Sequence, residues 1–310
     1  MAKSEFGDDV EKTTVLGLKD LELLSPDKNA RTAYFICING RAVGKMFKLS
    51  TNSTNKMIVG RSPTNDILVD DEGISRQHAF VERNALGLVL VDNESTNGVF
   101  VNGQRIQRHL LQDGDKVQLG SSAILKFSFQ DEVEERAQKQ LYESATRDGL
   151  TNCYNKKYFA DQLKTEFAYF FRHNEPMSLC LFDIDFFKKL NDGFGHQAGD
   201  HVLKTLAVVV QKALRTEDIF ARYGGEEFGV IFKNTDGEKA FLVLERVRRN
   251  VEKYEFMDND RRMPVTISIG IATLEGQNYP TPKALVKAAD DYLYQAKGKG
   301  RNRTESAIVG

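Results

Sequence analysis

Between residues 32 and 130 apolar and polar positions alternate in short runs, AYFICI, MFKLS, MIVG, HAFVE, LVLVD, VFVNG, KVQLG and AILKFSF, separated by Gly, Asn and Asp. A period of two puts every second side chain on one face, so these runs predict the strands of an all-β sandwich or barrel. The period then changes. QDEVEERAQKQLYESAT, residues 130–146, places Val133, Ala137, Leu141 and Ala145 at four-residue steps among helix formers, which predicts one amphipathic helix between two halves. Its apolar stripe is narrow, and a helix pair in a dimer and a helix lying on its own domain both satisfy it. From Asp148 onward the patterns alternate: helices over 155–172, 198–214, 237–253 and 281–297, strands SLCLFDID (178–185) and VTISIGIA (265–272), and a hairpin within ARYGGEEFGVIF (221–232). This predicts an α/β or α+β domain with helices covering a central sheet. Residues 1–30 mix charge, Ser and Thr without a period, the composition of a mobile tail.

A length of 310 residues accommodates about two domains. With 43 Lys and Arg against 44 Asp and Glu there is no basic field for a nucleic-acid polymer, so any nucleotide must be held by a local site. Cys37, Cys153 and Cys180 are scattered and lack C-x-x-C spacing, which points to plain apolar packing in a reducing compartment rather than a disulfide frame or a zinc site. The start MAKSEFGDDVEK has no signal-peptide core and the longest apolar run, LAVVV, is too short to span a bilayer. The expectation is a soluble cytoplasmic protein without a membrane partner.

The run SLCLFDID ends in Asp183 and Asp185, which a strand places on one face. The hairpin raises a related question. A Gly pair accounts for a tight turn through positive φ, yet it leaves Glu226 and Glu227 unexplained directly before FGVIF. On a strand the two glutamates point to opposite faces, so one meets surroundings that tolerate or need charge. Acids at a strand end joined by Glu226 from a hairpin tip would form an oxygen-rich pocket suited to Mg²⁺; for a D-x-D alone, strand capping is the plain alternative. Lys188 can meet phosphate as a point charge, and Asn191 and Asp200 offer acceptors of the kind that guanine's N1–H and N2–H₂ require. Lys297 and Arg301, four apart in YLYQAKGKGRN, would present two cations from one helical turn to a triphosphate, although a solvated helix end shows the same pattern.

Together, DGLTNCYNKKYF, FDIDFFKKLNDGFGHQAGD, RYGGEEF, TISIGIA and ADDYLYQAKGKGRN, in this order over about residues 146–306, closely resemble the GGDEF domain of diguanylate cyclases. The resemblance implies the palm-like sheet shared with nucleotidyl cyclases and polymerases. It implies that two GTP molecules become cyclic di-GMP, each 3′-hydroxyl attacking the other's α-phosphate as pyrophosphate leaves, with one GTP per domain and hence a catalytic homodimer. Carried over, Asp183, the backbone carbonyl of Ile184 and Glu226 would hold Mg²⁺ or Mn²⁺, and Glu226 is also the candidate proton acceptor. Lys188 would stabilise phosphate charge, Asn191 and Asp200 would read guanine, Gly224 and Gly225 would admit the nucleotide, and Lys297 and Arg301 would grip the phosphates. Phe228 and His196 are assigned to packing and local hydrogen bonding, and Glu227 to hydrogen bonding behind the site. RTED at 215–218 matches the family's R-x-x-D inhibitory site, so Arg215 and Asp218 would hold the product, with Arg222 and Arg246 as further contacts. Cys153 stands where leucine is usual and Lys156 and Lys157 replace an arginine pair; activity is expected to survive these changes.

In the β-rich half, GRSPTNDILVD (60–70), ISRQH (74–78) and ESTNGVFVNG (94–103) are ordinary turn chemistry by composition. Their order and spacing resemble a forkhead-associated (FHA) domain across residues 32–129, a β-sandwich that binds phosphothreonine peptides. Arg61 and Ser75 would hold the phosphate, Asn97 helped by Thr96 would fix the peptide backbone, Arg76 is secondary and His78 structural. The ligand implied is either Thr13 or Thr14 of the chain's own tail, after a Ser/Thr kinase has acted, or a separate phosphorylated protein. The organisation expected is a tail (1–30), an FHA domain (31–129), a linker helix (130–146) and a GGDEF domain (147–306). The function expected is a diguanylate cyclase regulated by phosphothreonine recognition and by product. A phosphopeptide-dependent adaptor that only binds nucleotide, and a cyclase making a mixed or linear nucleotide, are the alternatives.

Overall fold

The alternating runs of the first half pair into two sheets. The computed structural model describes residues 31–50, 56–276 and 278–307, so the tail with Thr13 and Thr14 lies outside the described residues. One sheet has β2 (Met46–Lys48), β1 (Thr32–Asn39), β11 (Ala123–Gln130), β10 (Lys116–Leu119), β7 (Val99–Val101) and β8 (Gln104–Ile106) in that order. The other has β4 (Ile67–Leu68), β3 (Met57–Gly60), β5 (Ala79–Asn84), β6 (Gly87–Asp92) and β9 (Arg108–Leu110). Phe35, Val59, Val81, Leu90, Leu119, Leu125 and Phe127 fill the core of this β-rich unit, with Phe35 and Phe127 edge to face at 5.9 Å. Buried and less buried residues alternate along β5, β7, β10 and β11, as a two-layer sandwich requires, whereas β1 buries five residues in a row.

The chain divides into two compact units between Gln138 and Lys139. The boundary falls within α1 (Glu132–Thr146), of which only Thr146 is buried. Val133 and Leu141 are 71% and 64% exposed, so of the two readings of the apolar stripe, packing against the helix's own domain is not the one observed.

The second unit is built on a sheet of order β13 (Ile219–Arg222), β14 (Glu227–Phe232), β12 (Met177–Ile184), β17 (Ile267–Leu274) and β18 (Thr304–Ser306). All eight residues of β12 are buried, because it is the central strand and is flanked by helices. Helices α2 (Lys156–His173), α4 (His196–Gln211), α5 (Gly237–Lys253) and α6 (Pro282–Gly298) run close to their expected spans. Asn155, Asp236 and Thr281 start three of them by accepting a backbone N–H with the side chain. Three elements escape the sequence reading. The helix α3 (Phe187–Phe194) precedes α4 and is separated from it by Gly195 at φ 89°; the β15–β16 hairpin (Phe256–Asp258, Arg261–Met263) and the parallel edge strand β18 are too short to carry a period.

Phe228 behaves as assigned: it is buried and stacks on Phe182 at 5.4 Å and Phe220 at 5.6 Å, locking the hairpin strands to the central strand. No helix among the described residues is long and apolar enough to cross a membrane. The seat of α6 on the sheet is set by Gly270, where an added Cβ would run into the backbone at Ala289 and Leu293. Gly270→Ala is therefore expected to push α6 outward at a cost of about 1–3 kcal/mol, lowering Tm by roughly 5 °C. Gly149→Ala, where nothing lies within 4 Å of the new carbon, is the control that should leave the melting curve in place.

Candidate active site

Asp183 is the penultimate residue of β12 and sits opposite Glu227 of β14 and Ser268 of β17. Its carboxylate is buried; one oxygen pairs with Lys297 Nζ, and the other, Oδ1, has no hydrogen-bond partner. Burial pushes the Asp183 carboxyl above its ordinary value, and the Lys297 charge opposes that shift without cancelling it. Glu226 stands in the turn between β13 and β14, partly exposed, and its carboxyl is raised by burial and then by the charge of Asp183. Glu226 thus lies within reach of the Asp183 charge. Asp185 does not join them, which corrects the expectation of a carboxylate pair at the strand end. It lies beyond β12, and its oxygens accept from Ser268 Oγ at 2.6 Å, Thr266 Oγ1 at 2.7 Å and the Asn302 backbone N–H at 3.0 Å. A carboxylate saturated in this way has a structural role.

Among the described residues no three His, Cys, Asp or Glu side chains form a ready metal cage. Two carboxylates and the Ile184 carbonyl nevertheless match an ion that keeps waters and takes further oxygens from substrate phosphates, as Mg²⁺ does. The unpartnered Oδ1 of Asp183, an acceptor buried at a cost, is the observation that favours such an ion.

The turn glycines differ from expectation. Neither Gly224 nor Gly225 has positive φ, so the turn does not need them for backbone conformation. A Cβ on Gly224 would lie 2.6 Å from Glu227 Oε2, while one on Gly225 would meet nothing within 4 Å. Arg222 closes the turn, its Nε and Nη2 donating to the Gly225 carbonyl at 3.0 and 2.7 Å. Its Nη1 pairs with Asp148 at 3.2 Å. These bonds staple the hairpin to Asp148. Asp148, the first residue of DGLTN, is the positioning residue that sequence reading passed over; it also accepts from the Thr151 N–H at 2.9 Å and hydroxyl at 2.7 Å. The D-x-x-T spacing was its available signal.

Asn191 is on α3 and Asp200 on α4, and the Gly195 break lets the two helices fold against each other. A Cβ on Gly199 would overlap the Asn191 carboxamide, so the residue beside Asp200 is in contact with Asn191. Asn191 Oδ1 is buried without a partner, while Asp200 is exposed. Lys188 is exposed on the first turn of α3, and no ion pair among the described residues joins it to Asp183 or Glu226. His196, at the first position of α4, is exposed.

Lys297 and Arg301 do not share a helical turn, contrary to their spacing. Lys297 is in the last turn of α6, but the helix ends at Gly298 and Arg301 follows in a loop at φ 65°. Its guanidinium lies 4.3 Å from the centroid of the Phe186 ring.

Arg215 is exposed, and Asp218 is buried with Oδ2 accepting the Arg215 N–H at 2.9 Å and Oδ1 unpartnered. Arg246 of α5 donates to the Ala213 carbonyl at 3.0 Å, which brings it to the same turn. Cys153 is buried with Sγ 2.9 Å from Thr151 Oγ1 and borders a groove of about 390 Å³ against Ala207 and Val208 of α4, where a leucine would supply more volume. Lys156 lies 4.3 Å from the centroid of Tyr223, the residue ahead of the glycines.

In the first unit three loops converge. Thr96 N–H donates to Ser75 Oγ at 3.2 Å, the two hydroxyl oxygens lie 3.4 Å apart, and Asn97 Nδ2 donates to the Gly73 carbonyl at 2.9 Å. Arg61 N–H donates to the Ser75 carbonyl at 3.1 Å, and the Arg61 and Arg76 side chains are exposed. His78 is buried: its Nδ1 accepts the Ser75 N–H at 2.9 Å and its Nε2 lies 3.1 Å from the Gly98 carbonyl, tying two loops together. Burial holds its pKa below the ordinary value, as a structural imidazole requires.

The Asp148 carboxyl titrates below its ordinary value: burial raises it, but the Thr151 bonds and the Arg222 charge outweigh burial. A depressed pKa stabilises the fold above the unfolded-state value and loses that effect as pH falls through the folded one. The gap in Tm between the wild type and Asp148→Asn should therefore be widest at neutral pH and close as pH falls below about 4. A gap independent of pH would contradict the ion pair.

Comparison with known proteins places these features in a family. Residues 145–303 match the model described as diguanylate cyclase, GGDEF domain, and residues 57–120 match the FHA domain. The probable diguanylate cyclase DgcT of Escherichia coli is 42% identical over 161 residues, 51% of this chain and 35% of that protein. The response regulator PleD of Caulobacter vibrioides is 43% identical over 170 residues, 54% of this chain and 36% of that protein. The chain thus spans little more than a third of these two relatives. The coiled coil and GGDEF domain of DgcB from Caulobacter crescentus, solved in complex with c-di-GMP, aligns with a TM-score of 0.53 at 32% identity, over 56% of this chain and 91% of that one. The diguanylate cyclase SiaD of Pseudomonas aeruginosa, solved with its activator SiaC, aligns with a TM-score of 0.51 at 33% identity, over 56% of this chain and 69% of that one. By the match over residues 145–303, the chain belongs to the GGDEF family of diguanylate cyclase domains, with an FHA domain ahead of it.

Proposed function

We propose that the chain is a diguanylate cyclase that condenses two GTP into cyclic di-GMP with release of two pyrophosphates, and that its FHA domain and its own product regulate it. The observation that carries the reading is the buried Asp183 carboxylate, paired on one side with Lys297 and unpartnered on the other, next to the Glu226 turn. Asp183, the Ile184 carbonyl and Glu226 are the residues that would hold Mg²⁺, with Mn²⁺ as a substitute. When bound, the ion neutralises phosphate charge and lowers the pKa of the attacking hydroxyl. Lys297 would exchange Asp183 for phosphate, Arg301 and Lys188 would add charge-assisted bonds, and Asn191 and Asp200 would read the guanine edge. Glu226 is also the candidate to take the 3′-hydroxyl proton.

Each GGDEF domain would hold one GTP, so two copies of the chain must face each other, and the exposed Val133 and Leu141 stripe of α1 supports their pairing. Residues 31–129 would form the phosphothreonine reader, with Arg61 and Ser75 on the phosphate, Thr96 and Asn97 on the peptide and Arg76 in support; 130–146 would link it to a cyclase domain over 147–306. The ligand would be phosphorylated Thr13 or Thr14, or a phosphorylated partner. Arg215 and Asp218, with Arg222 and Arg246 as further contacts, would hold product and halt synthesis. The buried free cysteines and the nucleotide substrate fit the cytoplasm.

Full-length protein incubated with Mg²⁺ and labelled GTP should give a cyclic product on chromatography, lost on chelation and reduced at least 100-fold in Asp183→Asn. No cyclic product at any protein concentration, with or without a phosphothreonine peptide, would favour the adaptor. Gly225→Ala, which meets no atom in the folded chain, should keep its Tm yet lose roughly tenfold or more in GTP affinity; unchanged affinity would mean that the nucleotide does not approach the turn. Arg215→Ala should relieve product inhibition without lowering the initial rate, and Arg61→Ala should abolish phosphopeptide binding; persistence of either effect would remove that site from the reading.

A further inference from the structure

Arg301 is a cation that its helix does not carry. It follows the end of α6 at φ 65°, and Asn302 follows at φ 46°. Two consecutive non-glycine residues in the left-handed region persist only where their surroundings over-determine them. The Arg301 N–H donates to the Ala296 carbonyl of α6 at 2.9 Å, and Asn302 adds restraint from two further directions. Its backbone N–H donates to Asp185 Oδ2 at 3.0 Å, and Asp185 is in turn fixed by Ser268 and Thr266 beside the sheet. Its side chain faces α5, where Nδ2 donates to Glu252 Oε1 at 2.7 Å and Oδ1 accepts from Arg248 Nη1 at 2.7 Å. Arg248 is itself anchored, with Nη1 3.1 Å from Glu252 Oε2 and Nε 3.0 Å from Glu245 Oε1.

The Arg301 side chain meets a second element of the same construction. Its guanidinium lies 4.3 Å from the centroid of Phe186, and Phe186 is held at φ 57° directly after Asp185. One carboxylate thus fixes the Phe186 shelf through the chain and the Arg301 backbone through Asn302. This also gives the second acid of the FDID run its task.

We propose that Asn302 is a positioning residue for nucleotide binding: its bonds to Asp185, Glu252 and Arg248 hold the Arg301 guanidinium on Phe186, oriented for phosphate before substrate arrives. The benefit is preorganisation, since a long flexible cation otherwise loses rotamer freedom on binding. The inference rests on the reading of Arg301 as a phosphate ligand, and its test separates the two.

The full-length chain would be followed by the Nε–H resonance of Arg301, displaced by the Phe186 ring, and by equilibrium binding of a non-hydrolysable GTP analogue with Mg²⁺. Asn302→Gly keeps the left-handed backbone accessible while deleting the side-chain bonds. It should return the resonance to its random-coil position and weaken binding roughly tenfold. Asn302→Asp opposes Glu252 and should do the same; adding Glu252→Gln exchanges donor and acceptor and should restore both signals. In an Arg301→Ala background Asn302→Gly should cost less than about twofold more, because the two act through one group. An Arg301 resonance unmoved by Asn302→Gly, or a full loss in the Arg301→Ala background, would overturn the proposal. If Arg301→Ala leaves binding unchanged while Asn302→Gly still frees the resonance, the positioning stands and the phosphate assignment of Arg301 fails.

Discussion

The second unit is organised around a carboxylate that ought not to be buried. Asp183 is 5% exposed near the end of a buried central strand whose other residues, Ser178 apart, are apolar, a place where an unpaired charge would cost several kcal/mol. Lys297 offsets part of that cost from α6, and α6 can reach it only because Gly270 lets the helix backbone press onto β17. One oxygen remains without a partner. A scaffold tuned for stability alone would satisfy that oxygen or replace the acid, so the arrangement reads as a site whose missing ligands arrive with the substrate.

Three segments carry the other candidate site residues, each held by contacts of its own. The hairpin is stapled by Arg222, which joins the Gly225 carbonyl to Asp148 close after α1. The α3–α4 elbow is set by the fit of Asn191 onto Gly199. The loop after α6 is set by Asn302. The three stacked rings of Phe182, Phe220 and Phe228 beneath the hairpin give these contacts a rigid floor. In the first unit the same logic appears on a smaller scale, with buried His78 bonding the loops that bring Ser75, Thr96 and Asn97 together.

Much of this was legible in the sequence, because period-two and helical patterns report burial, and burial is what places β12, β14, β17 and the long helices. The limits are equally physical. Asp183 and Asp185 look alike in FDID, and only the hydroxyls of Ser268 and Thr266, far away in sequence, distinguish the unsatisfied acid from the saturated one. Lys297 and Arg301 have helical spacing, but α6 stops at Gly298, and a left-handed loop residue cannot be read from its spacing. The bond of Arg222 to Asp148 joins positions far apart in the chain and, like its bonds to Gly225, depends on the fold. Gly224 and Gly225 suggested positive φ, the commonest use of a glycine pair, and here have none.

The pairing of Lys297 with Asp183 ties fold to chemistry, and it is open to direct observation. A crystal structure of the full-length chain with Mg²⁺ and a non-hydrolysable GTP analogue should show Lys297 Nζ withdrawn from Asp183 onto phosphate oxygen, with the ion on Asp183 Oδ1, the Ile184 carbonyl and Glu226. Lys297 still paired with Asp183 while the nucleotide is bound elsewhere would contradict the assignment of this carboxylate as the centre of the site.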